Sequence, residues 1–404
     1  MPQVKPDIEA FAKIKVVGVG GSGGSAITRM MAGKIRGVDF VAMNTDVQAL
    51  HHNTAPQKLH IGKTVTRGLG AGMDPEIGRK AAEESQNEIR EMLKDADMVF
   101  VTCGLGGGTG SGAAPIVAQV ARELGALTVA VVTKPFSFEG PQRMSIAEKA
   151  WEQLAKNVDT IITIPNDRIL QIIDKKTTLL EAFKIVDDVL RQGVQGISEL
   201  ITIPGLINVD FADVRTIMHD TGSALMGIGT GTGENRAMEA AKMAISSPLL
   251  ELSIDGAQGI LFTITGGPDL TMNEVSEAAK LITSSAAKDA KVIFGAIIDE
   301  SMTGSMRISV VATGFDNRRS SLATEDDTSS QSFFSAGKYM PSSFLRKTQK
   351  EEEEEEKRFK NFTQKAPPQP SVSQPSDDHK AKPAAASSDD DLEIPAFIRR
   401  KMGS

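Results

Sequence analysis

Two runs of glycine carry the first chemical signal. Gly18-Val-Gly20-Gly21-Ser22-Gly23-Gly24-Ser25 and Gly104-Leu-Gly106-Gly107-Gly108-Thr109-Gly110-Ser111-Gly112 each follow an apolar stretch and precede a helical pattern. Residues without a Cβ let bare N–H groups approach an anion, and a helix N-terminus behind them adds its positive end. Thr109 and Ser111 bring hydroxyl donors to the second run. Neither run contains Lys or Arg, so a phosphate there is met by backbone dipoles and a cation such as Mg²⁺. The spacing at 18, 20 and 23 also matches G-x-G-x-x-G, with Asp39 as a ribose ligand, which would suit a dinucleotide-dependent oxidoreductase. A second glycine loop and the lack of a clear catalytic His or Lys weigh against that enzyme. Gly62-Lys63-Thr64 has the end of a P-loop, but Gln57 stands where its first glycine belongs.

Other residues offer chemistry in pairs. Phe183 and Asp187 are four apart in a helical pattern and share a face. A carboxylate there accepts from guanine N1–H and N2–H₂ together, a donor pair that adenine lacks. Without a ligand, Phe183 reads as core and Asp187 as a solvated charge. Asp210 and Asp213, three apart at a loop-to-helix start, suit the orientation of a water or cation, and Asp210 equally suits the cap of that helix. The lone Cys103 excludes a disulfide framework and a multi-cysteine zinc site, and it reads as a small buried residue without a paired base. The five histidines show no ligand spacing, so no protein-held metal is expected.

The elements that must position these groups alternate along the first 316 residues of the 404. Apolar strand candidates are Ile14–Val19, Phe40–Met43, Met98–Thr102, Leu127–Thr133 and Thr160–Ile164. Helical patterns at Ala26–Ile35, Glu76–Leu93, Ala113–Leu124 and Met144–Asn157 separate them, which implies a parallel α/β sheet. Over Thr178–Thr202, Phe183, Val186, Leu190, Val194, Ile197 and Ile201 recur at helical steps, and Pro204-Gly205 closes the helix. A second α/β segment follows, with strands expected at Gly259–Thr265, Lys291–Ile297 and Met306–Thr313.

Composition changes after residue 316. The tail from Asn317 balances 15 basic against 15 acidic residues, so the net charge of −7 belongs to residues 1–316. With a Glu351–Glu356 run and seven of the 18 prolines, this stretch is expected to be a disordered linker over 317–390. Apolar residues return at its end as Leu392, Ile394, Phe397 and Ile398, a candidate partner-binding peptide within 391–404. The acidic balance excludes a general nucleic-acid binder. No apolar run reaches the ~18 residues of a membrane span and the start lacks an apolar signal core, so a cytoplasmic protein is expected.

The motifs together resemble one family. Gly106-Gly-Gly-Thr-Gly-Ser-Gly112 is the signature of the tubulin/FtsZ family, and the resemblance extends through six further motifs in order. These are Asn44-Thr45-Asp46, Gly68–Gly72, Thr133–Arg143, Ile164–Asp167, Asn208–Asp213 and the terminal Leu392–Ile398. The resemblance implies a tubulin-like fold: a Rossmann-type parallel-sheet GTPase domain (14–177) after a short extension (1–13). A long central helix (178–203) and a smaller α/β domain (204–316) follow. It implies GTP or GDP with Mg²⁺, phosphates held by Gly21, Ser22, Gly23, Gly24, Ser25 and by Gly107, Gly108, Thr109 and Gly110. Asn44 belongs to the same site, and Ala71 and Gly72 lie by the γ-phosphate. Glu139 and Arg143 fall at the ribose, Asn166 and Asp187 at guanine, and Phe183 against the base. Ser22 and Ser25 stand where glycine and asparagine are frequent in the family.

The family also implies that Asn208, Asp210 and Asp213 complete the nucleotide site of the next subunit in a head-to-tail filament. Through its terminal peptide Asp391–Met402 such a protein meets membrane-anchoring division partners of the FtsA or ZipA kind, at a mid-cell division ring. A scaffold that binds nucleotide without hydrolysing it is the other reading, and Asp210 and Asp213 speak against it.

Overall fold

The structure is a computed structural model, and it describes residues 12–315 apart from 172, 174, 175, 204 and 248–253. The expected linker, the terminal peptide and nearly all of the N-terminal extension lie outside the described residues.

The chain begins β1 (Ile14–Val19), α1 (Gly20–Ala32), β2 (Val38–Asn44), α2 (Val47–His52), β3 (Gln57–His60), α3 (Lys63–Thr66), α4 (Pro75–Glu84) and α5 (Gln86–Leu93). It continues β4 (Met98–Gly104), α6 (Gly108–Glu123), β5 (Leu127–Lys134), α7 (Pro141–Ala155), β6 (Thr160–Pro165), α8 (Asn166–Ile169) and α9 (Leu179–Thr202). Then come α10 (Phe211–Met218), β7 (Gly222–Thr232), α11 (Arg236–Ile245), β8 (Gly259–Gly266), α12 (Met272–Ser284), β9 (Lys291–Ile298) and β10 (Ser305–Thr313).

All these strands join one ten-stranded sheet in the order β3-β2-β1-β4-β5-β6-β7-β10-β8-β9. From β3 to β7 every pairing is parallel; β10 alone runs antiparallel, between β7 and β8. Parallel neighbours need crossovers, and the helices that supply them cover both faces of the sheet. Alternation along β1 shows the result: Ile14 and Val16 face a core shared with α1 and α9, Val17 and Val19 a core shared with α5, α6 and α7. A third core lies under α11 and α12, filled by alternate residues of β8 and β10.

The order reverses between β1 and β4: β2 lies on one side of β1, and β4 on the other. At such a switch point the loops leaving the two strands diverge and open a crevice at the carboxyl edge of the sheet. Both glycine runs leave from these two strands.

The helix α9 begins where its side chains dictate. Thr178 accepts from Glu181 N–H, and Glu181 accepts from Thr178 N–H at 2.9 Å, so both ends of a capping box are closed. Its apolar face (Val186, Leu190, Val194, Ile197) is buried against the sheet. No helix of the described residues is long and apolar enough to cross a membrane.

Four local features differ from the sequence expectation. α1 starts at Gly20 and α6 at Gly108, so much of each glycine run is helix rather than loop. The pattern over 76–93 divides at Ser85, whose hydroxyl accepts Gly62 N–H at 3.0 Å. β3 is a four-residue, mostly polar edge strand. β7 has no apolar run because Gly229 and Gly231 lie under α11, where a Cβ would stand 2.0 Å from Ala240 O and 2.1 Å from Arg236 O.

Candidate nucleotide site

The crevice at the switch point holds a cavity of about 380 Å³. Its lining includes Gly21, Ser22, Gly72, Gly107, Gly108, Thr109, Gly110, Glu139, Arg143, Asn166, Phe183 and Asp187, all expected from the sequence. Gly24, Ser25 and Asn44 instead line a neighbouring cavity of about 250 Å³ between α1, β2 and α2, which shares Gly21 with the first. Gly23 and Ala71 line neither. A Cβ on Gly23 would stand 2.5 Å from Thr102 O, and Ala71 is 5% exposed. Gly104 of the second glycine run also lines it, and Leu105, Thr133, Pro135, Val186 and Leu190 complete the lining without having been expected as site residues. They are ordinary residues of strand ends and a core face, and only the folded arrangement distinguishes them.

The glycines divide by what they do. A Cβ on Gly112 would lie 1.9 Å from Pro75 O, and one on Gly108 2.5 Å from Gly72 O. These residues let α6 press against α4 and the 71–74 loop. A Cβ on Gly21 or Gly107 would meet nothing within 4 Å. Those two keep space open rather than close it.

Two helices begin at this cavity without a side-chain cap and without an acid in the first turn: α1, behind Val19, and α6, behind Gly107. Their orphan N–H groups and positive ends therefore meet at one place, which is the arrangement that binds an anion. Side-chain hydroxyls fix the two loops. Ser22 Oγ accepts Gly104 N–H at 2.8 Å, Ser111 Oγ accepts Gly106 N–H at 2.9 Å, and Thr109 and Thr45 share a hydroxyl hydrogen bond of 2.7 Å. Ser22 thus locks the first loop to the second. The Ser22 and Ser111 hydroxyls accept in these bonds and keep a hydrogen of their own, which suits a phosphate oxygen. Glu139, at the rim of the lining, accepts Phe136 N–H at 2.9 Å and pairs with Arg143.

The other end of the cavity presents acceptors and an aromatic face. Asn166 is buried, and its Oδ1 has no hydrogen-bond partner. Phe183 is 39% exposed and meets Phe136 edge to face at 5.7 Å, which leaves a ring surface open. Asp187 is 9% exposed, and burial pushes its carboxyl up to about 6 against the opposing pull of Arg29. Arg29 reaches across from α1, with Nη1 2.7 Å from Asp187 Oδ2 and 3.0 Å from Phe183 O. Nothing in the sequence signals this pair, because 158 positions separate its members.

Asn208, Asp210 and Asp213 line neither cavity. Asp210 caps α10, accepting Asp213 N–H at 2.8 Å, and Asn208 Oδ1 accepts Gly205 N–H at 2.6 Å. All three are exposed. Among the described residues, one group of metal-ligand type comes together away from the cavity: Asp159, His219 and Asp220. Arg122 already pairs with Asp220 and stands 3.7 Å from Asp159, supplying the positive charge there.

Comparison with known proteins agrees with this geometry. Residues 13–174 match the GTPase-domain model of the Tubulin/FtsZ family, and residues 222–316 match the C-terminal-domain model of the FtsZ family. An empty FtsZ dimer from M. jannaschii superposes with a TM-score of 0.73 at 49% identity, covering 76% of this chain and 89% of that one. A tryptophan-to-tyrosine mutant of the M. jannaschii FtsZ gives the same score and identity, over 76% and 92%. CetZ2 from Haloferax volcanii, solved as a GTPγS-bound protofilament, shares the fold with a TM-score of 0.65 at 21% identity, over 79% and 99%. Two glycine-led helices converging at the sheet's switch point, together with these matches in order along the chain, establish that the chain belongs to the tubulin/FtsZ family.

Proposed function

We propose that this chain binds GTP in the switch-point cavity, assembles head to tail, and hydrolyses GTP where one subunit meets the next. The phosphates lie against the N-termini of α1 and α6, over Gly21–Ser25 and Gly107–Gly110, with the γ-phosphate toward Ala71 and Gly72. Glu139 and Arg143 flank the ribose. Asn166 and Asp187 accept from guanine, and Phe183 stacks on it. Mg²⁺ bound with the phosphates would supply positive charge that the Lys- and Arg-free glycine runs lack.

The observation that carries the reading is a separation. From Phe183 to Thr202, α9 advances about 28 Å at ~1.5 Å per residue, and Asn208, Asp210 and Asp213 come after its far end. Asp210 and Asp213 line neither cavity of their own chain, and they serve the nucleotide of another. Phosphoryl transfer to water needs an oriented nucleophile and stabilised charge. Asp213, in the first turn of α10, orients the water. Asp210 fixes that turn through its cap, and Asn208 braces the loop at Gly205. The uncapped helix ends take up the charge on the leaving phosphate. A contact of this head-to-tail kind does not close on itself and builds a filament.

Such filaments organise a division ring in the cytoplasm, and Asp391–Met402 tethers them to membrane-anchoring partners of the FtsA or ZipA kind. Negative-stain microscopy tests the reading. Single filaments form with GTP and not with GDP, and Asp213→Ala assembles while hydrolysing at least about 100-fold more slowly. Loss of GTP binding in that variant contradicts the role given to Asp213.

A further inference from the structure

Arg29 lies in the last turn of α1, the first helix to leave the phosphate cradle, and its guanidinium is the cation that meets the buried Asp187. One nitrogen serves two acceptors on α9, Asp187 Oδ2 at 2.7 Å and Phe183 O at 3.0 Å. It therefore grips both the carboxylate and the backbone of the aromatic residue that share the base end of the cavity. The remaining charged neighbours are otherwise engaged. Glu139 and Arg143 pair with each other, and Asp188 turns to Arg191 and Gln192 at 2.7 Å.

We propose that Arg29 is a positioning residue that sets the base preference of this site. It holds one oxygen of Asp187 against α9, so that the carboxylate accepts from a purine carrying two donors on one edge, guanine in preference to hypoxanthine. The proposal rests on the reading of Asp187 as the group that reads the base.

The physical reason is desolvation. A carboxylate shut away from water gains its proton unless a cation stands beside it, and a protonated carboxyl no longer accepts at both oxygens. Hypoxanthine differs from guanine only in lacking the 2-amino group, so it forfeits one hydrogen bond to the anion. A hydrogen bond to a charged group is worth about tenfold to a hundredfold in affinity. Without Arg29 the carboxyl takes its proton at higher pH, and the two purines become alike.

The test compares dissociation constants of GDP and IDP, diphosphates chosen so that assembly does not contribute, between pH 5.5 and 7.5. Wild-type protein should favour GDP by at least about tenfold at pH 7.5, with the preference fading as pH falls through about 6. R29M should lower the GDP preference severalfold at neutral pH and shift its pH midpoint upward. R29K should restore both. Should R29M fail to fold, R29Q makes the same comparison, since it keeps a donor and loses the charge. A variant that weakens GDP and IDP equally, with an unmoved pH midpoint, overturns the proposal, because Arg29 would then only brace α1 against α9. Equal binding of GDP and IDP by the wild-type protein would instead remove the base-reading role of Asp187 itself, and the Arg29 proposal with it.

Discussion

Replacing Gly21 with alanine should strengthen the fold and weaken the ligand. Gly21 is the second residue of α1 and lines the cavity, and a Cβ there meets no atom within 4 Å. In the empty protein the methyl group costs nothing sterically, and alanine is favoured over glycine in a helix by up to about 1 kcal/mol. The nucleotide-free Tm should rise by about 2–4 °C. A phosphate oxygen bound at this N-terminus sits about 2.9 Å from a backbone nitrogen. The methyl projects about 1.5 Å from Cα into that space and pushes the oxygen away. Losing one or two charge-assisted hydrogen bonds, each about 1.5–3 kcal/mol, weakens GDP by about tenfold to ten-thousandfold.

The partner variant has the opposite character. Gly23→Ala drives a Cβ to 2.5 Å from Thr102 O and 2.9 Å from Gly18 C, both backbone atoms, so it should fail to fold. The assay is a thermal melt without nucleotide, paired with competition against a fluorescent guanine nucleotide. A Gly21→Ala protein that melts higher and binds GDP as tightly as wild type would refute the placement of phosphate at this helix end.

Other consequences follow from the same geometry. GDP affinity should be flat well above pH 6 and fall by about tenfold to a hundredfold as pH drops through it, because burial holds the Asp187 carboxyl up at about 6 and the protonated form loses its charge-assisted bonds to guanine; a nucleotide titration series at fixed ionic strength measures this. Cys103 is fully buried, and burial pushes its thiol up to about 12, so it should resist thiol-modifying reagents in the folded protein and react at once in denaturant. Arg236 is 4% exposed and joins α11 to Asp269 and Glu274 at 2.6 Å each. Arg236→Met should lower the Tm by several degrees while GDP affinity stays within about twofold, since the network ties α11 to the start of α12 and none of its members lines the nucleotide cavity.

The sheet and the cradle are largely legible in the sequence because most strands, though not the polar edge strand β3 or the glycine-rich β7, hold apolar runs and each cradle is a glycine run. The helical starts of α1 and α6 are not. Glycine disfavours helix, and only the approach of Gly23 to Thr102 and of Gly112 to Pro75 explains why helical turns there must lack side chains. β7 was hidden for a related reason: its glycines answer to α11, so no apolar alternation appears. Asp210 was readable as a cap, and the structure shows that cap. The grip of Arg29 on Asp187 was not readable, because long-range pairing leaves no local pattern.

The central claim is that each nucleotide site is completed by the following subunit. Steady-state GTP hydrolysis per subunit, followed on dilution from micromolar to nanomolar protein, tests it most directly. The account predicts a rate per subunit that rises steeply above a threshold concentration and vanishes below it. A rate per subunit that stays constant down to nanomolar protein would mean that one chain holds the whole active site, and would contradict it.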